Sequence, residues 1–186
     1  MKVILDTNVV ISAVYFGGAP LKILKAWRNG QLDLVVTDDI LAEYDEIANR
    51  LHARYPAVDF HPWIDFIREN ATRQEVQKPY PSVCEDPDDD VFVACALVAD
   101  AKVVCSGDRH LLVIDGHRGI EVLAPRQFAE KYLYQQGGWA LGSRRVGDQQ
   151  YRSKQNRPLP RWGGLSAWNG GFAFVLCDYK FSEDFV

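Results

Sequence analysis

No two cysteines of this chain stand in CxxC spacing, no pair of histidines has the spacing of a dedicated metal site, and neither a P-loop nor a GxGxxG phosphate motif occurs. The four cysteines, Cys84, Cys95, Cys105 and Cys177, form no regular framework, and two of them sit inside apolar runs. Buried reduced thiols are therefore expected, rather than zinc ligands or disulfides. Long hydrophobic runs are missing as well. The longest, Val91 to Ala99, is nine residues, about half of what a helix needs to cross a bilayer. The N-terminus has no basic stretch followed by a long apolar one, and Asp6 interrupts the only candidate, so no secretory leader is expected. These absences point to a soluble cytoplasmic protein with no membrane association.

What is present suffices for a globular fold: 186 residues, 47% of them hydrophobic, can enclose one compact domain with a sizeable core. Charge is unevenly spread. Residues 1–134 hold 14 Lys and Arg against 21 Asp and Glu, whereas residues 135–186 hold 7 against 4. The same tail carries 8 of the 14 glycines and 3 of the 5 tryptophans, without sustained period until Phe172 to Leu176. A domain boundary is expected near 134, followed by an irregular, poorly ordered extension. Arg144, Arg145, Arg152, Lys154, Arg157 and Arg161, interleaved with Trp139 and Tyr151, could track RNA, but a functionless extension is the plainer reading.

In residues 1–134, strands and helices alternate. Val3 to Leu5 and Leu32 to Thr37 read as buried strands around a helix opened by Pro20 and stopped by Gly30. Ile40, Tyr44, Ile47 and Leu51 mark an amphipathic helix capped by Thr37 or Asp38, and Phe60 to Ile67 marks another. "KPYPSVC" is a loop, Val91 to Ala99 a buried helix, Lys102 to Ser106 and Gly119 to Leu123 strands, and Pro125 opens a last helix. The expectation is an α/β domain with a mostly parallel sheet and no internal repeat.

Four carboxylates then fall at the ends of elements. Ligands of open parallel sheets bind beyond the carboxyl ends of the strands. Asp6 directly follows the first strand, and Asp108 follows the third in "VVCSGD". Asp90 opens the buried helix, and Glu43 flanks the apolar face of its own. Each has an ordinary reading: Asp6 and Asp108 as caps, Asp88 to Asp90 as complement to a helix dipole, Glu43 as partner of a surface base. Jointly the ordinary readings weaken, since two like charges about 4 Å apart repel by roughly 4 kcal/mol at an effective dielectric of 20. Convergence requires protonation or a cation. An all-oxygen set favours Mg²⁺ or Mn²⁺ over zinc.

"VILDTNVVIS", "ILAEYDEIA", "EDPDDDVFVACALVADAKVVCSGDRHLL" and "VLAPRQF" resemble, in order and spacing, the successive motifs of the PIN-domain family over about residues 1–132, in particular the VapC-like toxins of bacterial toxin–antitoxin systems. The resemblance implies a three-layer α/β/α fold and a metal-dependent ribonuclease. By motif position, Asp6, Glu43, Asp90 and Asp108 match the family's four catalytic, metal-holding acids, and Thr7, Asn8 and Ser106 the small polar residues beside them. Asp90 is taken over Asp88 and Asp89 because it directly precedes the apolar helix. The resemblance further implies an RNA substrate, an antitoxin partner and a homodimer. Two alternatives stand: a non-catalytic acidic pocket that binds metal or RNA, and an aspartyl-phosphate phosphatase, which would need an aspartate where Asn8 stands.

Overall fold

The computed structural model of the chain describes residues 1–56 and 59–134. The basic and aromatic stretch 139–161, Phe172 to Leu176 and Cys177 lie outside the described residues. Among the described residues five strands form one sheet: β1 (Lys2–Leu5), β2 (Asp33–Val36), β3 (Thr72–Arg73), β4 (Val103–Cys105) and β5 (Glu121–Leu123), in the spatial order β3-β2-β1-β4-β5. Every neighbouring pair is parallel. The fold is α/β, as the alternation of elements implied, and the sheet is entirely parallel rather than mostly so. The strand at one edge, β3, is two exposed residues with no apolar alternation to signal it.

Among the described residues seven α-helices cover the sheet: α1 (Thr7–Phe16), α2 (Gly18–Arg28), α3 (Asp38–Arg54), α4 (His61–Asn70), α5 (Asp90–Ala99), α6 (Arg109–Val113) and α7 (Pro125–Phe128), which runs on as a π-helical turn, Ala129–Tyr134. Parallel strands need crossovers of the right hand, and these distribute helices to both faces. Both faces are therefore dry, and β1, β2 and β4 are buried almost to the last residue. The stretch after β1 departs from the expected single helix opened by Pro20. Two helices meet there at 103°, because Gly17 and Gly18 take φ of 68° and 60°, a left-handed conformation that only glycine enters without penalty. Among the described residues no single helix is long and apolar enough to cross a membrane.

The core runs from Val3, Ile4 and Leu5 through Ile40, Tyr44, Ile64, Ile67 and Phe92 to Leu111 and Phe128, all at most 1% exposed. Tyr44 is polar as well as large; its hydroxyl donates to the Leu5 carbonyl at 2.6 Å. That bond ties α3 to the end of β1, and burial pushes the Tyr44 phenol well above its ordinary pKa. Cys84, Cys95 and Cys105 are buried free thiols, as expected.

Since Phe128 and Ala129 already lie inside this core, a chain cut after Tyr134 is expected to keep its helical circular dichroism and to melt cooperatively. A truncated chain without a cooperative melt would show that the tail completes the core.

Candidate active site

The order of strands places a topological switch between β1 and β4: the chain leaves β1 towards β2 on one side and leaves β4 towards β5 on the other. A crevice opens at such a point beyond the carboxyl ends of the two strands. Both edges of it are occupied by aspartates. Asp6 follows β1, and its amide donates to the Cys105 carbonyl at 3.0 Å, which extends the pairing with β4 by one residue. Its side chain caps α1 through the Asn8 amide at 3.2 Å. Its other oxygen accepts the Ser106 hydroxyl at 2.6 Å. Asp108 caps α6 through the His110 amide at 2.7 Å, while its own amide donates to Ser106 Oγ at 2.9 Å. The ordinary capping role and a place in the crevice thus coexist in both residues.

Ser106 is fully buried, and its one hydroxyl links the two aspartates. Thr7, 3% exposed, reaches α3: its hydroxyl donates to Glu43 Oε1 in a short hydrogen bond. Glu43 is half-buried and faces the crevice rather than a surface base. Asn8 contributes its backbone amide to Asp6.

The electrostatics follow from this crowding. Burial, with a further push from the Asp108 charge, raises Asp6 to about 6 in spite of the Ser106 and backbone hydrogen bonds that oppose it. Glu43 rises to about 7, again chiefly through burial, against the Thr7 hydrogen bond and with the charges of Asp6, Asp88 and Glu46 adding to it. Asp89 rises furthest among the crevice acids, to about 8, through burial and then the charges of Asp6, Asp108, Asp86 and Glu43.

Asp90 is 4% exposed, and its Oδ1 accepts the amides of Val83 and Cys84 at 2.9 and 2.8 Å. One of its oxygens is thus turned to the irregular segment 74–86. A short 3-10 turn, Pro87–Asp89, precedes α5. Within this run the charge of Asp88 acts on Glu43, and Asp89 is influenced by Asp6, Asp108, Asp86 and Glu43.

The donor chemistry suits a hard divalent cation: the crevice offers carboxylate and hydroxyl oxygens, and its acids are held partly protonated by burial and by one another. Among the described residues, no three Asp, Glu, His or Cys side chains are already drawn together into a cage for one ion. Asp6 and Glu43 are instead engaged by Ser106 and Thr7. Lys22 donates to the Tyr134 hydroxyl and Arg50 pairs with Glu46. His110, which follows Asp108, pairs with Glu85 at 3.2 Å.

The profile of the PIN domain matches residues 2–110, more than half of the chain. The protein belongs to the PIN-domain family. No curated protein matches the sequence significantly. PIN domains are generally metal-dependent nucleases, so membership supports a nuclease role. The match covers β1 to the start of α6, and hence all the crevice carboxylates of this PIN domain.

The raised pKa values carry a sign. Asp6, Glu43 and Asp89 hold protons more tightly folded than unfolded, so their contribution to stability is complete below about pH 4 and is lost as pH rises through about 6, 7 and 8 respectively. Metal-free protein is therefore expected to lose thermal stability between pH 5 and pH 8, with the loss reduced in Asp89→Asn. Melting curves in EDTA across that range measure it, and a melting temperature that rises through this window would contradict the assignment.

Proposed function

We propose that this PIN domain is an endoribonuclease that hydrolyses RNA phosphodiester bonds with Mg²⁺ or Mn²⁺. The observation that carries the reading is the meeting, at the β1/β4 switch point, of acidic side chains from separate segments: Asp6, Glu43, Asp108 and one of the run Asp88 to Asp90. These carboxylates would hold the cation. When bound, it supplies Lewis-acid stabilisation of the negative charge that builds on phosphate and leaving oxygen and lowers the pKa of water.

The chain's own residues supply the rest. Ser106 and the Asn8 amide fix both oxygens of Asp6, so that this carboxylate is oriented before any substrate arrives. Thr7 holds one oxygen of Glu43. The acidic balance of residues 1–134 is not an obstacle, because a bound cation reverses the local sign where the phosphate sits.

RNA as substrate, and a place as toxin in a toxin–antitoxin pair, rest on the resemblance of the four motifs to VapC-like proteins. The partner consistent with an acidic crevice is an antitoxin segment that inserts an arginine, whose planar fork pairs with two carboxylate oxygens and competes with the cation. A homodimer in the cytoplasm belongs to the same reading.

Asparagine keeps the capping ability of aspartate but removes the charge. Asp6→Asn and Asp108→Asn are therefore expected to fold and melt normally, yet to cut fluorescent single-stranded RNA at least about 100-fold more slowly at saturating Mn²⁺. Near-wild-type cleavage by either variant would overturn the assignment. RNA binding by the wild type without any cleavage would make this a non-catalytic acidic pocket.

A further inference from the structure

Bases are outnumbered in residues 1–134, 14 to 21, and half of them pair with a carboxylate, as Arg68, Arg73 and Lys78 do. Helix α2 stands apart from that pattern. Residues 7–32 hold Lys22, Lys25 and Arg28 and no Asp or Glu. Ile23, Leu24, Ala26 and Trp27 are buried, so the bases fall on the opposite side, Lys22 and Lys25 exposed and Arg28 half-buried. Their i, i+3, i+6 spacing sets them in a row that advances about 4.5 Å per step along the axis.

None of the three charges is cancelled. Among the described residues the Lys25 and Arg28 side chains make no ion pair or hydrogen bond. Lys22 donates to the Tyr134 hydroxyl at 2.8 Å, with its Nζ 5.0 Å from the centre of that ring, and neither contact brings a negative charge. The Tyr134 ring is itself 49% exposed. Lys25 and Arg28 lie in the last turn, where bases complement the helix dipole. That accounts for two bases at the end of a helix; it does not account for Lys22, or for the absence of acids from the whole stretch in an acid-rich domain.

We infer that this side of α2, with the Tyr134 ring beside it, is a surface that holds the backbone of single-stranded RNA outside the acidic crevice. The choice of RNA rests on the nuclease reading; a surface for a polyanion does not. Carboxylates repel phosphate until a cation is bound, and then act at one place only. A row of uncancelled bases takes up successive phosphates and releases their counterions. An acidic protein segment would match the charges, but the half-exposed ring next to the row adds a face on which a base stacks, and that favours RNA.

Fluorescence anisotropy of the full chain with a labelled oligouridylate in EDTA reads this surface without cation or cleavage. Each phosphate contact to a single strand contributes a slope of about −0.7 to log affinity against log salt. The double variant Lys25→Gln/Arg28→Gln is expected to flatten the slope by about 1.4 and to bind about 10-fold or more weakly at low salt. Tyr134→Leu is expected to lose at least about fivefold in affinity at unchanged slope. Lys102→Gln, which removes an exposed base paired with Asp100, is expected to bind as the wild type does. Glutamine is a good helix former, so circular dichroism is expected to stay unchanged in the double variant. With Mn²⁺ present, the double variant is expected to raise KM for RNA and keep kcat.

A double variant with wild-type slope and affinity would overturn the surface, and so would a wild type that binds no oligouridylate in EDTA. Polyglutamate bound through Lys25 and Arg28, with oligouridylate unbound, would make the partner an acidic protein and overturn the choice of RNA. Cleavage with a KM indifferent to Lys25 and Arg28 would refute the surface and leave the nuclease reading standing. RNA binding that depends on them, without any cleavage, would support the surface and refute the nuclease reading.

Discussion

Asp6 is a carboxylate 3% exposed at the end of the central strand, and the crevice is organised by the need to keep it there. Burial alone would drive it to protonate. The protein opposes that with the Ser106 hydroxyl on one oxygen and the Asn8 amide on the other, and these two bonds tie β1 to β4 and start α1. Removing them would leave a bare acid in a dry sheet edge. The neighbouring elements are arranged around the same demand: Thr7 turns to Glu43, Ser106 receives the Asp108 amide, and Tyr44 anchors α3 on Leu5, one residue before Asp6.

Structural and chemical roles therefore overlap in single residues. Asp6 and Asp108 cap helices, an ordinary service for aspartate at a helix start, and the dipoles of those helices favour the charge that the sheet edge disfavours. The cap fixes the carboxylate; the crevice then uses it. In Asp90 one carboxylate oxygen is spent on two backbone amides of the preceding segment. A metal-free protein with several such acids close together stores electrostatic repulsion, which a divalent cation relieves on binding.

Much of this was legible from the residues. Buried apolar runs at Val3 to Leu5 and Val103 to Cys105 could only be parallel strands once helical patterns separated them, and an aspartate just past each had nowhere to point but the shared edge. Glu43 could be placed from its position on the flank of the α3 apolar face. Three features were not legible. The two residues of β3 are exposed and pair through backbone alone, so side-chain patterning is silent about them. The bend between α1 and α2 depends on φ values that two glycines permit but do not require. The hold of Asp90 on amides 83 and 84, across a 3-10 turn, is a contact made in space rather than a periodicity in sequence.

The central claim is that this acidic crevice is a cation site. At neutral pH the metal-free crevice carries protons on Glu43 and Asp89, whose pKa values are about 7 and 8, and a cation must expel them. Calorimetric titration of the whole chain with Mn²⁺, run at pH 6 and pH 8 in buffers of different ionisation enthalpy, measures affinity and proton release together. The account predicts tighter binding at pH 8 and net proton release near pH 7, both lost in Asp6→Asn. Absence of binding, or an affinity independent of pH and of Asp6, would contradict it.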